Sequence, residues 1–248
     1  MKLLIVNPNI SESVTSLIAQ EAQRAAGPGV TFTTLTAPFG VAYIESRAEA
    51  AIGAYATLEL LAEHYPGHDA AIVAAFGDPG LMAAKEILPI PVVGLTEAAL
   101  MTACMHGGRF SIISISKRIT AWYRETVDAY GLLGRLASLR NLEQAFPDIG
   151  NVQEDRAEQL LALCDAAVKE DGADVLILAG APLAGLARKV ADRLPVPVVD
   201  GVTSAVRQAM TMAAIGGQAR EGSFAPPPMK GSQGLSPALA KLVGRQDV

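Results

Sequence analysis

Two stretches of this chain repeat one another, and the repetition fixes most of what it can fold into. Ile72-Val73-Ala74-Ala75 leads through Pro79-Gly80-Leu81 to Pro89-Ile90-Pro91-Val92-Val93. Ile177-Leu178-Ala179-Gly180 leads through Gly185-Leu186 to Pro195-Val196-Pro197-Val198-Val199. Gly80 matches Gly185, Leu81 matches Leu186, and the two Pro-x-Pro-Val-Val segments follow helical intervals of like length. A weaker pair runs from Lys2-Leu3-Leu4-Ile5-Val6 into Asn9 and Ser11, and from Arg109-Phe110-Ser111-Ile112-Ile113-Ser114 into Ser116. Any two strand–helix–strand units look somewhat alike, but nothing in that grammar demands the repeated proline pattern. The chain reads as a duplicated unit.

Each copy alternates short apolar runs with longer helical patterns. Strands are predicted over Lys2–Val6, Thr31–Thr36, Ala70–Ala75, Val92–Gly94, Phe110–Ser114, Val175–Leu178 and Val198–Val199. Their runs are nearly continuous, not alternating, which suits parallel sheets covered on both faces. Helices are predicted over Ser11–Ala26, Ser46–Tyr65, Pro79–Ile87, Glu97–His106, Ile119–Tyr130, Gln153–Glu170, Leu183–Arg193 and Val202–Ala213. The expected fold class is α/β: two pseudo-symmetric, doubly wound parallel-sheet domains with the active-site cleft between them. The first half is residues 1–95 plus a helix at about 202–215, and the second is 96–201. Residues 222–248 form an extended, Pro/Gly-rich tail with a short helix over Leu235–Val243, capped by Ser236 with Pro237 at its first position.

Composition narrows the partners. The chain is 248 residues long, 50% hydrophobic and 18% charged, enough to bury one large core or two small ones. A net charge of -5 gives no electrostatic reason to bind nucleic acid or an anionic membrane. No apolar run approaches the roughly 18 residues that span a bilayer. The apolar start is stopped by Asn7-Pro8-Asn9 and reads as a first buried strand, not a signal peptide. Two cysteines make no disulfide framework, so a reducing cytoplasm is expected.

One series of motifs carries more. Asn7-Pro8-Asn9 with Ser11, Phe76-Gly77-Asp78-Pro79-Gly80-Leu81, Pro91-Val92-Val93-Gly94, Glu97-Ala98-Ala99, Arg109-Phe110-Ser111 and Gly234-Leu235-Ser236-Pro237-Ala238-Leu239 occur in that order. Together they resemble the hydantoin racemase branch of the aspartate/glutamate racemase superfamily, from residue 1 to about residue 243. The resemblance implies chemistry without a cofactor or metal, and a homo-oligomer. It also implies two cysteines acting as acid and base on opposite faces of an acidic carbon. Inversion through a planar carbanion needs that opposed pair, and thiols titrate in a useful range. Here the resemblance sets Ala75 and Gly180 at the two cysteine positions, within Ala74-Ala75-Phe76-Gly77 and Ala179-Gly180-Ala181-Pro182-Leu183. Neither side chain moves a proton.

Other groups are candidates for the missing chemistry. Asp78 lies close to the first cysteine position. It is either an acid/base or the cap of the helix that Pro79 begins. Lys117 follows the turn Ser114-Ile115-Ser116 and is either an anion clamp or a base. Glu97 is a catalytic candidate or a first-turn residue complementing its helix dipole. Glu45 and Ser46 lie on a loop expected over the cleft, to bind substrate or to cap the following helix. Asn9, Ser11, Ser114 and Ser116 occupy equivalent strand-to-helix turns, whose free N–H groups bind carboxylates or enolates. The backbones of Phe76-Gly77 and Gly180-Ala181, with Ala75 and Pro182 beside them, are expected to serve likewise. No metal site is expected: His64 and His68 are four apart, but Pro66-Gly67 breaks the helix between them. His106 is a helix-end residue, and Cys104 and Cys164 are apolar fillers. Gly180–Gly185 lacks the ending of a phosphate loop, and no Ser-His-Asp elbow is present.

Three readings of function stay open. One is a cofactor-independent enzyme acting on a small carboxylate, amino-acid derivative or cyclic amide, through an enolate-like state or water attack. Decarboxylation, elimination and hydrolysis belong here. The second is a racemase using non-thiol acid/base groups, and the third a binding protein that lost catalysis. A perturbed carboxylate or lysine in the cleft favours the enzymes, and tight binding without turnover the last.

Overall fold

The computed structural model describes residues 1–143, 149–216, 221–228 and 230–244. The first half supplies β1 (Lys2–Asn7), α1 (Glu12–Ala26), β2 (Thr31–Thr36), α2 (Arg47–His64), β3 (Ala70–Val73), α3 (Leu81–Ile87), β4 (Val92–Gly94) and α4 (Leu95–His106). The second supplies β5 (Phe110–Ser114), α5 (Thr120–Ala129), β6 (Leu136–Asn141), α6 (Val152–Asp155), α7 (Ala157–Lys169), β7 (Val175–Leu178), α8 (Leu186–Val190), β8 (Val198–Asp200) and α9 (Gly201–Ile215). These make two all-parallel sheets of equivalent order, β2-β1-β3-β4 and β6-β5-β7-β8. The duplication read in the sequence is thus a duplication of topology.

Burial on both faces explains the unbroken apolar runs. In β1, Leu3 and Ile5 face the cluster under α1 and α9, while Leu4 and Val6 face the cluster under α2 and α3. All four are fully buried, and each contributes about 1.5–3 kcal/mol relative to exposure. In β7, Val175 and Ile177 point to one layer and Leu176 and Leu178 to the other. A strand with one solvated face would alternate instead.

The helices that follow the last strand of each sheet cross over. α4 leaves β4 and packs against β7 and β8 of the second sheet, and α9 leaves β8 and packs against β3, β4 and α1 of the first. The loops after β3 and β7 make the same exchange. Phe76 is buried in the second half's core with Tyr123 and Ala179, while Ala181 and Ala184 are buried in the first half's core with Ala74. The two strand edges therefore interlock.

Several expectations need correction. β6 was not expected: each of its six residues is half-buried, so it shows no apolar run, and its place comes from pairing with β5. The helix expected over 153–170 breaks at Arg156, whose φ of -126° and ψ of 14° are not helical. The one expected over 183–193 is reduced to α8 between two 3-10 turns. β3 ends at Val73, earlier than expected. At the C-terminus α10 (Pro237–Gly244) packs on α2, with Leu239 buried and Ser236 Oγ accepting from Leu239 N–H. Residues 229 and 245–248 of the expected tail lie outside the described residues. No helix among the described residues is long and apolar enough to cross a membrane.

Candidate active site

The C-terminal edges of β1, β3, β5 and β7 carry the turns that the sequence singles out. At β1, Ser11 caps α1, its Oγ accepting from Val14 N–H at 3.4 Å. Asn9 is buried beside Asn7, which is sealed from solvent. Asn7 was not singled out, although an amide ending an apolar strand marks a buried polar hub. Its Nδ2 donates to Asn9 Oδ1 (3.0 Å), Thr15 Oγ1 (2.9 Å) and the Ser11 carbonyl (3.3 Å). At β5, Ser114 is also sealed. Its single hydroxyl proton goes to Asn141 Oδ1, with the Ser116 carbonyl a longer second acceptor at 3.3 Å, and Asn141 Nδ2 donates to Thr120 Oγ1 (3.0 Å). Ser114 is thus an internal brace, and Ser116 stands at the edge.

The β3 and β7 edges are lined by small residues and free N–H groups. The N–H groups of Ala75, Phe76, Gly180 and Ala181 make no hydrogen bond among the described residues. Gly77 differs: its N–H donates to Thr96 Oγ1 (2.5 Å), so it is not free for an anion. Gly77 has φ +100°, and a Cβ there would lie 2.2 Å from Trp122 Cζ2, so the indole rests on this glycine. Phe76 turns its ring inward against Tyr123, at 4.7 Å between centroids. Gly180 has φ +111°, a conformation that side chains avoid. Ala181 is buried in the first half's core, and the Pro182 carbonyl accepts from Gln153 Nε2 (2.9 Å).

The carboxylates are committed to structure. Asp78 caps α4, not the nearby α3, whose cap is Gly80. Its Oδ1 accepts from Thr96 N–H (2.8 Å), and its Oδ2 from Glu97 N–H (2.8 Å) and Tyr130 O–H (3.3 Å). Gly94 leaves room for it, since a Cβ there would meet the Asp78 Cγ at 2.3 Å. Burial pushes the Asp78 carboxyl up to about 7, against the pull of the two backbone N–H groups. Glu97 pairs with Lys85 and accepts from Gly94 N–H (3.4 Å). In the second half Asp200 does the matching task, capping α9 through Thr203 N–H (2.9 Å) and holding Gly185 N–H (2.6 Å). Burial raises its carboxyl too. Glu21 is buried beside it. Burial pushes Glu21 up, but hydrogen bonds from Arg24 and Thr203 and the charges of Arg24 and Arg188 outweigh it and hold Glu21 below its usual range.

The loop before α2 brings the remaining candidates. Ser46 caps α2 in a reciprocal box with Glu49, which also accepts from Glu45 N–H (2.7 Å). Tyr43, on the same loop, packs on the second half's core and bonds to Tyr123. Burial, then the charge of Glu45, pushes the Tyr43 phenol well up. Lys117 is exposed at the head of the 3-10 turn Lys117–Ile119, in no ion pair among the described residues. The two thiols are elsewhere: Cys104 in the last turn of α4, and Cys164 in α7, where burial pushes it up to about 12. His68 donates to or accepts from Thr33 Oγ1 at 2.8 Å, and no metal-binding cluster occurs among the described residues.

What these strand edges offer chemically is a set of free backbone N–H donors flanked by small side chains. The sequence profile of Asp/Glu/hydantoin racemases matches residues 3–209. A hydantoin racemase from Paenarthrobacter aurescens is 36% identical over 225 residues, covering 88% of this chain and 93% of that protein. An allantoin racemase from Klebsiella pneumoniae superposes with a TM-score of 0.91 at 32% identity, covering 96% of this chain and 98% of that one. Arylmalonate decarboxylase shares the fold, with a TM-score of 0.63 at 16% identity over 88% of this chain and 94% of its own.

Proposed function

This chain belongs to the Asp/Glu/hydantoin racemase family, and from that membership we propose that its cleft binds a small cyclic amide or carboxylate and carries it through an enolate-like state, with neither cofactor nor thiol pair. The observation that carries this reading is the pair of interlocked edges after β3 and β7. They present the unpartnered N–H groups of Ala75, Phe76, Gly180 and Ala181, and the side chains at positions 75 and 180 hold no transferable proton. Preorganised donors aimed at a developing oxyanion are worth several kcal/mol in a water-poor site. Racemisation by proton exchange needs acid and base on opposite faces of the carbon. Asp78 and Glu97, engaged at the head of α4, hold the Gly77–Thr96 contact in place and so position the β3 edge.

A reaction that breaks a bond and leaves its electron pair on the α-carbon fits these groups better. In decarboxylation of a substituted malonate, CO2 leaves and the C–C electron pair becomes an enolate held by the turn N–H groups. One proton, from the Lys117 ammonium or from water, then completes the product. Attack of water on a ring carbonyl makes the same demand on the donors.

Proton NMR in D2O with single-enantiomer hydantoins, amino acids and substituted malonates tests this. A shortened or ring-opened product is the expected outcome. Loss of the α-proton signal together with optical rotation, with the skeleton intact, would establish thiol-free racemisation instead. No change in any compound, with saturable line broadening, would leave only binding and overturn the catalytic proposal.

A further inference from the structure

A second cavity lies along β4, apart from the strand-end turns. β4 is the last strand of its sheet, with no strand beyond it. The space beside it has a volume of about 450 Å³, within the roughly 300–1,000 Å³ that small-molecule sites occupy. Its floor is the segment from α3 into β4, where Ile87, Leu88, Val92 and Val93 are all buried. Met101 of α4, Met212 of α9, and Phe224 and Pro226 of the C-terminal tail supply the other walls. Met101, Phe224 and Met212 are 38%, 39% and 42% exposed. Large apolar side chains left in water around an apolar floor mark a place where something binds. Methionine suits such a rim, because its flexible thioether adapts to what arrives.

Three polar side chains line the same cavity and set the head group it takes. Lys85 and Glu97 are half-buried and paired. An ammonium has three protons, and Glu97 takes one. Gln208 spends its Nε2 on the Ala98 carbonyl (2.9 Å) and on Thr102 Oγ1 (3.0 Å), and the Ala98 carbonyl fixes which atom is the nitrogen. Its Oε1 has no donor among the described residues. The cavity therefore offers a ligand one kind of donor and one acceptor. An anionic head would come up beside the Glu97 carboxylate, which already shares that lysine. Glu97 also ties the cavity to the β3 edge. Its N–H donates to Asp78 Oδ2 (2.8 Å), and Thr96 N–H donates to Asp78 Oδ1 (2.8 Å). Thr96 Oγ1 in turn accepts from the N–H of Gly77, the glycine on which Trp122 rests.

We infer that this cavity is an effector site. It binds a small molecule with a short apolar body and one neutral head that both donates and accepts, an alcohol or a primary amide, and its occupancy is felt at the β3 edge. A space of this volume, walled by four segments of one chain, takes a small molecule and not a partner's whole helix. The inference goes beyond the proposed reaction and does not rest on it, since the apolar walls lie outside the strand-end turns. Coupling between two sites is reciprocal, so whatever the edge gains from the effector, the effector gains from a ligand at the edge.

The test is methyl NMR on the full chain, isotope-labelled at its seven methionines, with hexanamide as the probe. The Met101 and Met212 signals are expected to shift saturably, and that of Met82, which does not line the cavity, to stay in place. Acetamide keeps the head and lacks the tail. At about fourfold per buried methylene, it is expected to bind roughly a hundredfold more weakly. Hexanoate has a tail of the same length and a charged head, and is expected to bind about tenfold more weakly or worse than hexanamide. Met212→Arg places a charge on the rim and is expected to abolish the Met101 shift. Trp122, the one tryptophan of the chain, reports on the edge. Its emission should change with the same midpoint as the Met101 shift in wild type, and should not change in Met212→Arg. Should Met212→Arg not fold, the three probes on wild type still decide. Hexanamide that shifts neither Met101 nor Met212, or hexanoate that binds as well, would overturn the inference. So would methyl shifts that follow dilution of the protein alone, since a second copy would then fill the cavity. Saturable shifts with flat Trp122 emission would overturn the effector role.

Discussion

Replacing Asp78 with Asn should change how the fold's stability depends on pH, in a direction set by burial. Asp78 is nearly sealed at the head of α4, and burial raises its carboxyl from its usual 3.8 to about 7. Three donors, from Thr96, Glu97 and Tyr130, favour the ionised form, but they do not offset the desolvation. A folded-state midpoint above the unfolded one means that the neutral carboxyl suits the fold. Its contribution is fully present below about pH 4 and is lost as pH rises through 7. A midpoint moved from 3.8 to about 7, at 1.36 kcal/mol per pH unit, makes the whole effect about 4 kcal/mol. Asn is neutral at every pH and lacks this loss, but its NH2 faces one helix N–H, which costs a constant ~1–3 kcal/mol. Urea unfolding of both proteins at pH 4, 5.5, 7 and 8.5 separates slope from offset. Asp200 and Glu21 titrate in both proteins and cancel in the difference. Wild type should lead at pH 4 and lose ground to Asp78→Asn as the pH rises, by up to about 4 kcal/mol. A wild-type lead that stays flat or grows with pH would refute the reasoning, because it would mean that the N–H groups hold Asp78 ionised in the fold.

Other substitutions probe the edges and the outer layer. Gly77→Ala should destabilise by at least about 1–3 kcal/mol from its backbone alone, and should red-shift Trp122 emission, because the new methyl displaces an indole only 2.2 Å away. Unchanged fluorescence would mean that the ring does not rest there. Gly180→Ala should cost about 1–3 kcal/mol in urea unfolding, since φ +111° suits glycine; Ala179→Gly serves as a control of opposite logic, losing a buried methyl with no backbone strain. Leu239→Ala should loosen α10 from α2 at about 2–3 kcal/mol and speed limited proteolysis near residue 235. An unchanged cleavage rate would mean that this side chain does not hold the helix in place.

Much of the fold was legible because burial writes a local pattern. Continuous runs such as Leu3–Val6 and Val175–Leu178 announce two-sided strands, and the second Pro-x-Pro-Val-Val announces the duplication. Ser46 and Ser236 name their own helices, since a cap and its N–H partner lie three residues apart. β6 was not legible, because an edge strand half-exposed at every residue has neither run nor alternation, and β5 supplies its order.

The turns of the candidate site were legible in the sequence, but the contacts their side chains make were not. The sequence by itself determined two α/β units, their strand edges, and the residues at those edges without a transferable proton. It also singled out Asp78, whose capping task looks local because Pro79 follows. Only the tertiary structure sent that carboxylate to α4, eighteen residues on, and put Tyr130 against it from another helix. Only the tertiary structure took the Gly77 N–H out of use and tied Asn9 Oδ1 to the buried amide of Asn7. A run of apolar residues carries its own reason to be buried. A polar group has none until the fold decides which partner stands within 3 Å of it, and which of its ends is left for a ligand.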